Sequence, residues 1–420
     1  MTSLLLRNVT LNGSRTHVLI DKGFFADLKA PETAGADRVI DAHGMALLPP
    51  FYNTHTHQAM ALLRGYGDDM ALFTWLNDRI WPLEAKLTAH DIYVGSKLAI
   101  LEMIKSGSVL FNDMYWLVEE TIRAAEELGV RALVADTVMD RRGTAVLNEA
   151  FARTKRLARN FEGTLIGVTV APHAVYTAGT DLLKRCANFA RDNGLTLHMH
   201  LSETAQENAD CIKAHGMTPT AYCDSLGLLT EKSVLAHCVH LTDADIEILA
   251  KRRSTLSHNP SSNMKLASGF APVQKLLDAG VNVALGTDGM ASNNNHDLFQ
   301  DMYLMGTIYK GHELDPAIIS PKQVIAAATR GGALAQGRED CGLVKVGMKA
   351  DLTVLDTTGA SWCPMTNPEV NIVFSGHGSD VVLTMCDGEV VYRDGVCPGI
   401  DLEQVKAEVS ARTKRIISEL

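Results

Sequence analysis

Between residues 47 and 287 the sequence contains eight short apolar runs, and the stretches between them have the periodicity of amphipathic helices. Strands that alternate with helices favour parallel β-α units, and eight such units predict a closed, TIM-like (β/α)8 barrel. The predicted strands are Leu47–Thr54, Ser108–Asn112, Arg131–Thr137, Leu165–Ala171, Leu195–His200, Ser233–His237, Ser254–His258 and Val281–Thr287. The clearest predicted helices are Asp91–Ser106, Val118–Leu128, Asp181–Asn193 and Ala244–Lys251.

Polar, often ionisable side chains lie at or just past the end of each predicted strand. Because chemistry in parallel barrels gathers at the carboxyl ends of the strands, this pattern predicts an active site there. The residues are His55, His57, Asp113, Asp136, His173, His200, Glu203, His237, His258 and Asp288.

The run Thr54-His55-Thr56-His57 predicts a metal site. Side chains alternate along a strand, so His55 and His57 face the same way. His200 and Asp288 close two further apolar runs. Three imidazoles and a carboxylate are a plausible catalytic zinc shell that leaves a position for water.

The two ends of the chain differ from the middle. They contain short apolar runs with Gly and Asp turns, such as Asp387–Gly395, which are typical of hairpins. We therefore expect residues 1–48 and 343–420 to form a small β-sandwich domain, and residues 49–342 to form the barrel. Asp401–Leu420 has helical periodicity behind a capping aspartate, so the domain should end in a surface helix.

Composition narrows the partners and the compartment. The net charge of −10, with no offsetting block of Lys and Arg, argues against nucleic acid as a partner. No apolar stretch is long enough to span a bilayer, and the N-terminus lacks a signal-peptide layout. The eight cysteines include no Cys-x-x-Cys pair, so we expect them to be reduced and buried in a cytoplasmic protein.

Motifs along nearly the whole chain match a known family. They are Asn53–His57, Leu63–Asp69, Trp75-Leu76, Ile80–Glu84, His200–Glu203, Ala236–Leu241, Ser257–Gly269, Gly286–Gly289 and Gly347–Leu352. The chain thereby resembles the amidohydrolase superfamily, and within its cytosine deaminase-like (TRZ/ATZ) branch the 5′-methylthioadenosine/S-adenosylhomocysteine deaminases.

The resemblance implies a metal-dependent hydrolase that deaminates an adenosine-type nucleoside. One divalent metal per subunit, usually zinc with iron as the alternative, is implied to bind His55, His57, His200 and Asp288. Such a metal lowers the pKa of a water from near 16 to about 7. Glu203 matches the proton-shuttling carboxylate and His237 the residue that holds the attacking water.

The resemblance also implies substrate contacts. Glu84 and His173 match positions that contact the nucleoside, and Trp75 matches an aromatic wall beside the base. Glu203 and Asp288 also face the reacting part of the base. Attack at C6 pushes electrons onto N1, so Glu203 suits the proton donor if burial raises its pKa. Glu84 suits the two ribose hydroxyls, because a carboxylate accepts two donors at once.

Simpler interpretations remain for several residues. Glu203 could be a surface carboxylate that starts a helix, and Glu84 could pair with Lys86 or cap a helix. Trp75 and Trp81 could be plain core, and His173 a hydrogen-bonded structural histidine. For Asp113, His198, His240 and His258 a structural or supporting role is the better interpretation.

One position departs from the family pattern. Family members that handle S-adenosylhomocysteine often carry an arginine near the end of the third strand, where Asp136 stands here. An aspartate there would repel the substrate's carboxylate, unless Arg141 or Arg142 reaches round. We therefore expect 5′-methylthioadenosine, 5′-deoxyadenosine or adenosine to be preferred over S-adenosylhomocysteine.

Other functions stay open at this point. A related amidohydrolase would deaminate or dechlorinate a triazine, a pterin or guanine. A non-catalytic scaffold of the same fold would have lost metal ligands, and none is missing here. The cytidine-deaminase solution needs His-x-Glu and Pro-Cys-x-x-Cys, which this sequence lacks. We expect a homo-oligomer, a dimer or tetramer, with no membrane partner.

Overall fold

The computed structural model describes residues 3–67 and 69–420. Met1 and Thr2 of the expected β-domain, and Asp68 of the Leu63–Asp69 motif, lie outside the described residues. The strands are β1 Leu4–Leu11, β2 Ser14–Asp21, β3 Phe24–Asp27, β4 Arg38–Asp41, β5 Met45–Leu48, β6 Phe51–His57, β7 Ser108–Tyr115, β8 Arg131–Val138, β9 Ile166–Pro172, β10 Thr196–Leu201, β11 Ser233–His237, β12 Thr255–His258, β13 Asn282–Leu285, β14 Asp288–Gly289, β15 Leu352–Asp356, β16 Val381–Cys386 and β17 Glu389–Arg393.

The helices cover the outside of the barrel and the connections above it. They are α1 Leu72–Trp75, α2 Trp81–Glu84, α3 Ala89–Lys105, α4 Val118–Leu128, α5 Thr144–Asn160, α6 Thr180–Asn193, α7 Ala205–His215, α8 Pro219–Ser225, α9 Asp243–Arg252, α10 Pro260–Lys265, α11 Val273–Asp278, α12 Leu298–Glu313, α13 Pro321–Ala326, α14 Gly332–Ala335, α15 Pro368–Phe374 and α16 Leu402–Ser418. No helix among these residues is long and apolar enough to cross a membrane.

Strands β6 to β12 pair in chain order with parallel neighbours, which confirms the predicted barrel. β13 pairs with β12 and β14 pairs with β6, so these two segments act as one interrupted eighth strand that closes the ring. The interruption includes Gly286, where a Cβ would lie 2.5 Å from Asn259 Oδ1 and 2.9 Å from His55 Cβ. Only glycine fits where these strands approach.

The first predicted strand, Leu47–Thr54, is wrong in its boundaries. Leu47 and Leu48 belong to β5 in the other sheet, and the barrel strand begins after Pro49 and Pro50. Consecutive prolines lack the backbone donors that a continuous ladder needs, so the chain changes sheet there. β6 therefore runs on to His57, and all of its residues are buried.

The two chain ends build a sheet that is separate from the barrel, as expected. Its strand order is β17-β16-β15-β5-β1-β2-β3, with β4 also paired to β1. The C-terminal helix α16 begins after Asp401, whose side chain accepts from the Gln404 amide. It packs on α3 of the barrel, where Arg415 pairs with buried Asp91 at 2.6 Å. Seven cysteines are buried, but Cys363 is exposed, contrary to expectation.

A buried ion network connects the barrel to the β-domain. Arg131, at the start of β8, pairs with Asp351 at 3.0 Å and with Asp387 at 2.8 Å. Arg131 and Asp351 are each only 2% exposed. Tyr52 donates its hydroxyl to Asp351 at 3.3 Å, and the Asp387 amide donates to it at 2.6 Å. Asp351 therefore has several donors, and the guanidinium supplies the compensating charge.

We expect Arg131→Met to lower the free energy of unfolding by about 3–5 kcal/mol, because it leaves the Asp351 carboxylate buried without its charge partner. Denaturant unfolding of the purified variant measures this. Arg393→Met serves as the control, since its pair with Asp394 is exposed and should contribute less than about 1 kcal/mol. A loss at Arg131 no larger than that of the control would contradict the expectation.

Candidate active site and metal centre

The predicted metal ligands converge at the carboxyl end of the barrel. Asp288 Oδ1 lies 3.3 Å from His55 Nε2 and 3.2 Å from His57 Nε2, and His200 Nε2 lies 3.3 Å from His57 Nε2. Donor atoms of His55, His200, His237 and Asp288 also lie within 4.8 Å of one another. Five buried residues thus direct donor atoms at one small space. They are the four predicted ligands and His237.

The donor set fits a divalent cation. The Nε2 atom of His55 is buried and faces Asp288 Oδ1 at 3.3 Å. Burial lowers the pKa of His55 to about 4, so this imidazole offers a lone pair at neutral pH. Burial also acts to lower the pKa of His57, but hydrogen bonding and the charge of Asp288 outweigh it and raise the pKa to about 9. The site thus favours one positive charge beside Asp288, which a metal can supply.

In the three predicted histidine ligands, the Nδ1 atom contacts a specific partner. His57 Nδ1 lies 2.7 Å from the Met114 carbonyl, and His200 Nδ1 lies 2.8 Å from the His173 carbonyl. Since a carbonyl only accepts, both Nδ1 atoms carry a proton, and Nε2 is left as the nitrogen of each ring that can bind a metal. His55 differs, because its Nδ1 lies 2.8 Å from Nε2 of buried His198.

Asp288 is fixed by several donors. Ser262 and Ser292 donate their hydroxyls to Oδ2 at 2.6 and 2.8 Å, and the Gly289 amide donates to Oδ1 at 2.8 Å. Although burial acts to raise the pKa of Asp288, hydrogen bonds and charge from His55 and His57 hold it well below its usual range. The carboxylate is therefore ionised and held in one orientation.

Left-handed backbone occurs just after β10, at the end of β11 and at the start of β14. The φ angles are +50° at Ser202, +71° at His237, +46° at Cys238 and +65° at Asp288. Residues with side chains rarely adopt positive φ, and such conformations cluster at functional sites where the surroundings hold them. Here they turn the chain sharply, so that strand-end side chains point into the site.

Glu203 and His237 lie beside the donor cluster. Glu203 is 4% exposed, and its Oε2 lies 3.9 Å from His237 Nε2. Burial raises the pKa of Glu203, which favours the protonated form that a proton donor needs. The surface interpretation of Glu203 is therefore wrong. His237 Nδ1 lies 2.8 Å from Asn263 Oδ1, so Nε2 is directed at the site as an acceptor.

A single segment, α10 with the three residues after it, holds three of these groups. Ser262 donates to Asp288 and Asn263 accepts from His237. Ser268 donates to Glu203 Oε1 at 3.3 Å. The Ser257–Gly269 motif carried the resemblance, but these individual roles were missed, because the contacts span 26 to 65 residues of sequence.

A cavity opens above this cluster and is walled largely by apolar side chains. Its lining includes Met60, Leu72, Trp75, Leu76, Ile80, Trp81, Met114, Trp116, Met139, Tyr176 and Leu266. Its polar lining includes His57, Glu84, Tyr115, His173, His200, Glu203, His237 and Asp288. An apolar cavity with a few convergent polar groups is typical of a small-molecule site.

The predicted nucleoside-contacting residues lie on the wall of this cavity. Glu84, 6% exposed, accepts the Tyr115 hydroxyl at 2.7 Å rather than pairing with Lys86. Burial raises its pKa to about 7, although the Tyr115 hydrogen bond acts to lower it. His173 Nδ1 lies 3.0 Å from the Thr177 hydroxyl, and Trp75 is 5% exposed. Tyr115 was missed, since the sequence does not reveal its partner.

The supporting histidines and Asp113 make structural contacts. His198 bonds to His55, and His240 Nε2 lies 2.8 Å from the Ser268 carbonyl. His258 Nε2 lies 3.0 Å from the Tyr309 hydroxyl. Asp113 accepts from the Gln58 amide at 2.7 Å and so holds the chain that leaves β6.

Asp136 is not left unpaired to repel a substrate carboxylate, because Arg142 reaches round to it, which is the exception that the sequence left open. Asp136 is buried and absent from the cavity lining. It pairs with Arg142 at 2.7 Å and with Arg153. Two guanidinium groups thus compensate its charge. Arg141 instead stacks on Trp81, with its guanidinium carbon 3.7 Å from the ring centre.

Comparison with known proteins identifies the family. The model of the amidohydrolase family matches residues 46–391, and the chain belongs to that family. A 5′-deoxyadenosine deaminase from Methanothermobacter thermautotrophicus is 43% identical over 385 residues, covering 91% of this chain and 90% of the relative. A 5-methylthioadenosine/S-adenosylhomocysteine deaminase from Desulforamulus reducens is 41% identical over 432 residues, covering 99% of both.

A solved structure supports the same grouping. An adenosine deaminase from Xanthomonas campestris, crystallised with bound zinc, superposes with a TM-score of 0.94 at 31% identity. The match covers 99% of this chain and 98% of that one. Together with the donor cluster, this supports a divalent-metal site in the present protein.

We expect His198→Phe to weaken metal binding by about 10–100-fold, because the His55 imidazole loses the partner that fixes its ring and tautomer. Competition with a chromophoric chelator measures the dissociation constant directly. His258→Phe is the matched control, since it removes a buried histidine that is hydrogen-bonded to Tyr309. Equal metal affinities in the two variants would contradict the role given to His198.

Proposed function

We propose that this protein is a metal-dependent hydrolase that converts adenosine-type nucleosides to the inosine-type product and ammonia. One observation carries the proposal: the buried Glu203 and Glu84 line one apolar cavity together with four members of the donor cluster, His57, His200, His237 and Asp288. The deaminase names of relatives about 40% identical over most of the chain support the same reaction.

In this proposal His55, His57, His200 and Asp288 hold one metal per subunit. Zinc is the proposed ion and iron(II) the alternative, since three imidazoles and a carboxylate suit both. When bound, the ion supplies a water of lowered pKa at neutral pH. His237 would orient the attacking water through Nε2, and the ionised Asp288 would accept its proton.

Glu203 transfers protons to the substrate in this proposal. Burial raises its pKa and so favours the protonated form, which donates to N1 as C6 is attacked. It then passes a proton to the departing amine. The Ser268 hydroxyl holds Oε1, and the apolar walls at Leu266 and Trp75 limit water around the base.

Glu84 and His173 orient the rest of the nucleoside. The Tyr115 hydroxyl occupies one position on the Glu84 carboxylate and fixes its direction. The remaining lone pairs accept from the ribose 2′- and 3′-hydroxyls. Burial lowers the pKa of His173 to about 3, so its imidazole is neutral and contacts a ring nitrogen such as N3.

We also propose the wider setting of the enzyme. Residues 49–342 form the catalytic barrel domain, and residues 1–48 with 343–420 form the β-domain with its terminal helix. A homodimer or tetramer is the proposed assembly. The eight free cysteines support a reducing, cytoplasmic location.

We expect Glu203→Gln and Asp288→Asn each to reduce kcat by about 10²–10⁴-fold, because each removes a group that accepts or donates a proton in the reaction. Ammonia release from 5′-deoxyadenosine measures the loss, with melting temperature and bound metal recorded for each variant. Guanine and an aminotriazine in the same assay test the related deaminations, and chloride release from a chlorotriazine tests the dechlorination. Near-normal turnover of Glu203→Gln, or faster turnover of guanine or triazine by the parent enzyme, would contradict the proposal.

The 5′ side of the cavity bears on substrate preference. Arg142 is occupied by Asp136, and the lining nearby includes Met139, Trp81 and Trp116. Such a surface favours small apolar 5′ groups over a charged amino acid. Arg141 is a cation near this wall, since its stacking on Trp81 brings it there.

We expect kcat/KM to be higher for 5′-deoxyadenosine, 5′-methylthioadenosine and adenosine than for S-adenosylhomocysteine. Parallel kinetics on the four nucleosides measure the order. Arg141→Ala tests whether the Arg141 cation contributes to binding the amino-acid carboxylate. The substitution should lower activity on S-adenosylhomocysteine and change activity on 5′-deoxyadenosine little. A clear preference for S-adenosylhomocysteine would rule out the proposed order.

A further inference from the structure

Glu207 is a buried carboxylate that the proposed chemistry does not use. It is 1% exposed and is the third residue of α7, the helix that begins just after Glu203. Its Oε1 accepts the amide of Ser202 at 3.2 Å, and its Oε2 accepts the amide of Glu203 at 2.7 Å. Both oxygens are therefore bonded to the backbone from which Glu203 projects.

Other helices in this chain show what the third residue ordinarily does. In α3, α9 and α13 a capping hydroxyl accepts the amide of the third helical residue, whose side chain accepts the capping residue's own amide. These third residues are Asp91, Asp245 and Gln323. That reciprocal arrangement satisfies two free donors at the helix start.

Helix α7 departs from this arrangement. Thr204 accepts the Glu207 amide at 3.1 Å in the usual way. The Glu207 carboxylate, however, extends past Thr204 to the two preceding amides. Capping the helix does not require these two contacts. They bring the Glu207 carboxylate towards that of Glu203, and the proximity of two carboxylates is electrostatically unfavourable. The arrangement therefore indicates a purpose beyond helix capping.

The amides that Glu207 holds belong to a strained turn. Ser202 has a φ of +50° and is fully buried. Its carbonyl accepts from the amides of Val239 at 3.0 Å and His240 at 2.9 Å, just past His237. The peptide groups around Ser202 are thus held by Glu207 on one side and by the end of β11 on the other.

We infer that Glu207 is a positioning residue for Glu203. It fixes the backbone of the turn so that the Glu203 carboxyl faces the reacting base, and it acts without touching the substrate. This inference rests on the proposed function of Glu203 as proton donor. It adds a residue whose effect on the reaction passes entirely through Glu203.

The sharpest test is Glu207→Asp. An aspartate at this position can form the ordinary capping arrangement seen at Asp245 and Asp91, but it is one methylene too short to hold both preceding amides. We expect the melting temperature and bound metal to stay close to wild type. We expect kcat to fall by about 10²-fold, because small displacements of a catalytic group have losses of that order, while KM changes little.

A double-mutant cycle shows whether the effect passes through Glu203. Glu203→Gln, Glu207→Asp and the double variant are compared by ammonia release from 5′-deoxyadenosine. If Glu207 acts through Glu203, the double variant is no slower than Glu203→Gln alone, because the group being positioned is already gone. Multiplying losses, or a wild-type kcat for Glu207→Asp, would overturn the inference.

Two further measurements complete the test. Asp245→Asn removes a carboxylate that is also 1% exposed and third in its helix, but holds Thr242 rather than a catalytic residue. We expect it to lower the melting temperature and leave kcat unchanged, and an equal loss of kcat would overturn the inference. Normal turnover of Glu203→Gln would instead contradict the proposed function, so the two failures are distinguishable.

Discussion

Closure of the barrel and assembly of the site depend on the same strand pairing. The eighth strand is interrupted after β13, and its short second part places Asp288 beside Thr56 and Gly289 beside His57. This register brings the carboxylate against the two imidazoles of β6. A slip of one residue would turn the Asp288 side chain to the other face of the sheet. The donor cluster therefore exists only when the ring is closed in this register.

The sequence predicted the barrel and the strand-end residues because both are local patterns. Apolar runs mark strands buried on both faces, and polar residues such as His200 and Asp288 stand where those runs end. The boundary error at Leu47–Thr54 arose because β5 and β6 are both apolar and nearly adjacent. Only the two prolines between them mark the change of sheet.

The supporting contacts could not be predicted in the same way. Tyr115 and Glu84 are 31 residues apart, and Ser268 and Glu203 are 65 apart. Such pairs form when loops fold over the top of the barrel, and no periodicity in the sequence records them. The pairing of Asp136 with Arg142 and Arg153 likewise depends on how the chain turns after β8. The motif around Ser262 indicated importance without indicating which side chain meets which.

The strand ends and the connections between them contribute different residues to the site, and this has a consequence for how substrate specificity can change. The proposed catalytic groups stand at the ends of β6, β10, β11 and β14, whereas much of the cavity wall comes from the single connection between β6 and α3. That connection carries Leu72, Trp75, Trp81 and Glu84. Substitutions confined to it would reshape the cavity and leave the groups proposed to transfer protons in place. Selectivity and reactivity can thus change independently, because they are encoded in separate stretches of the chain.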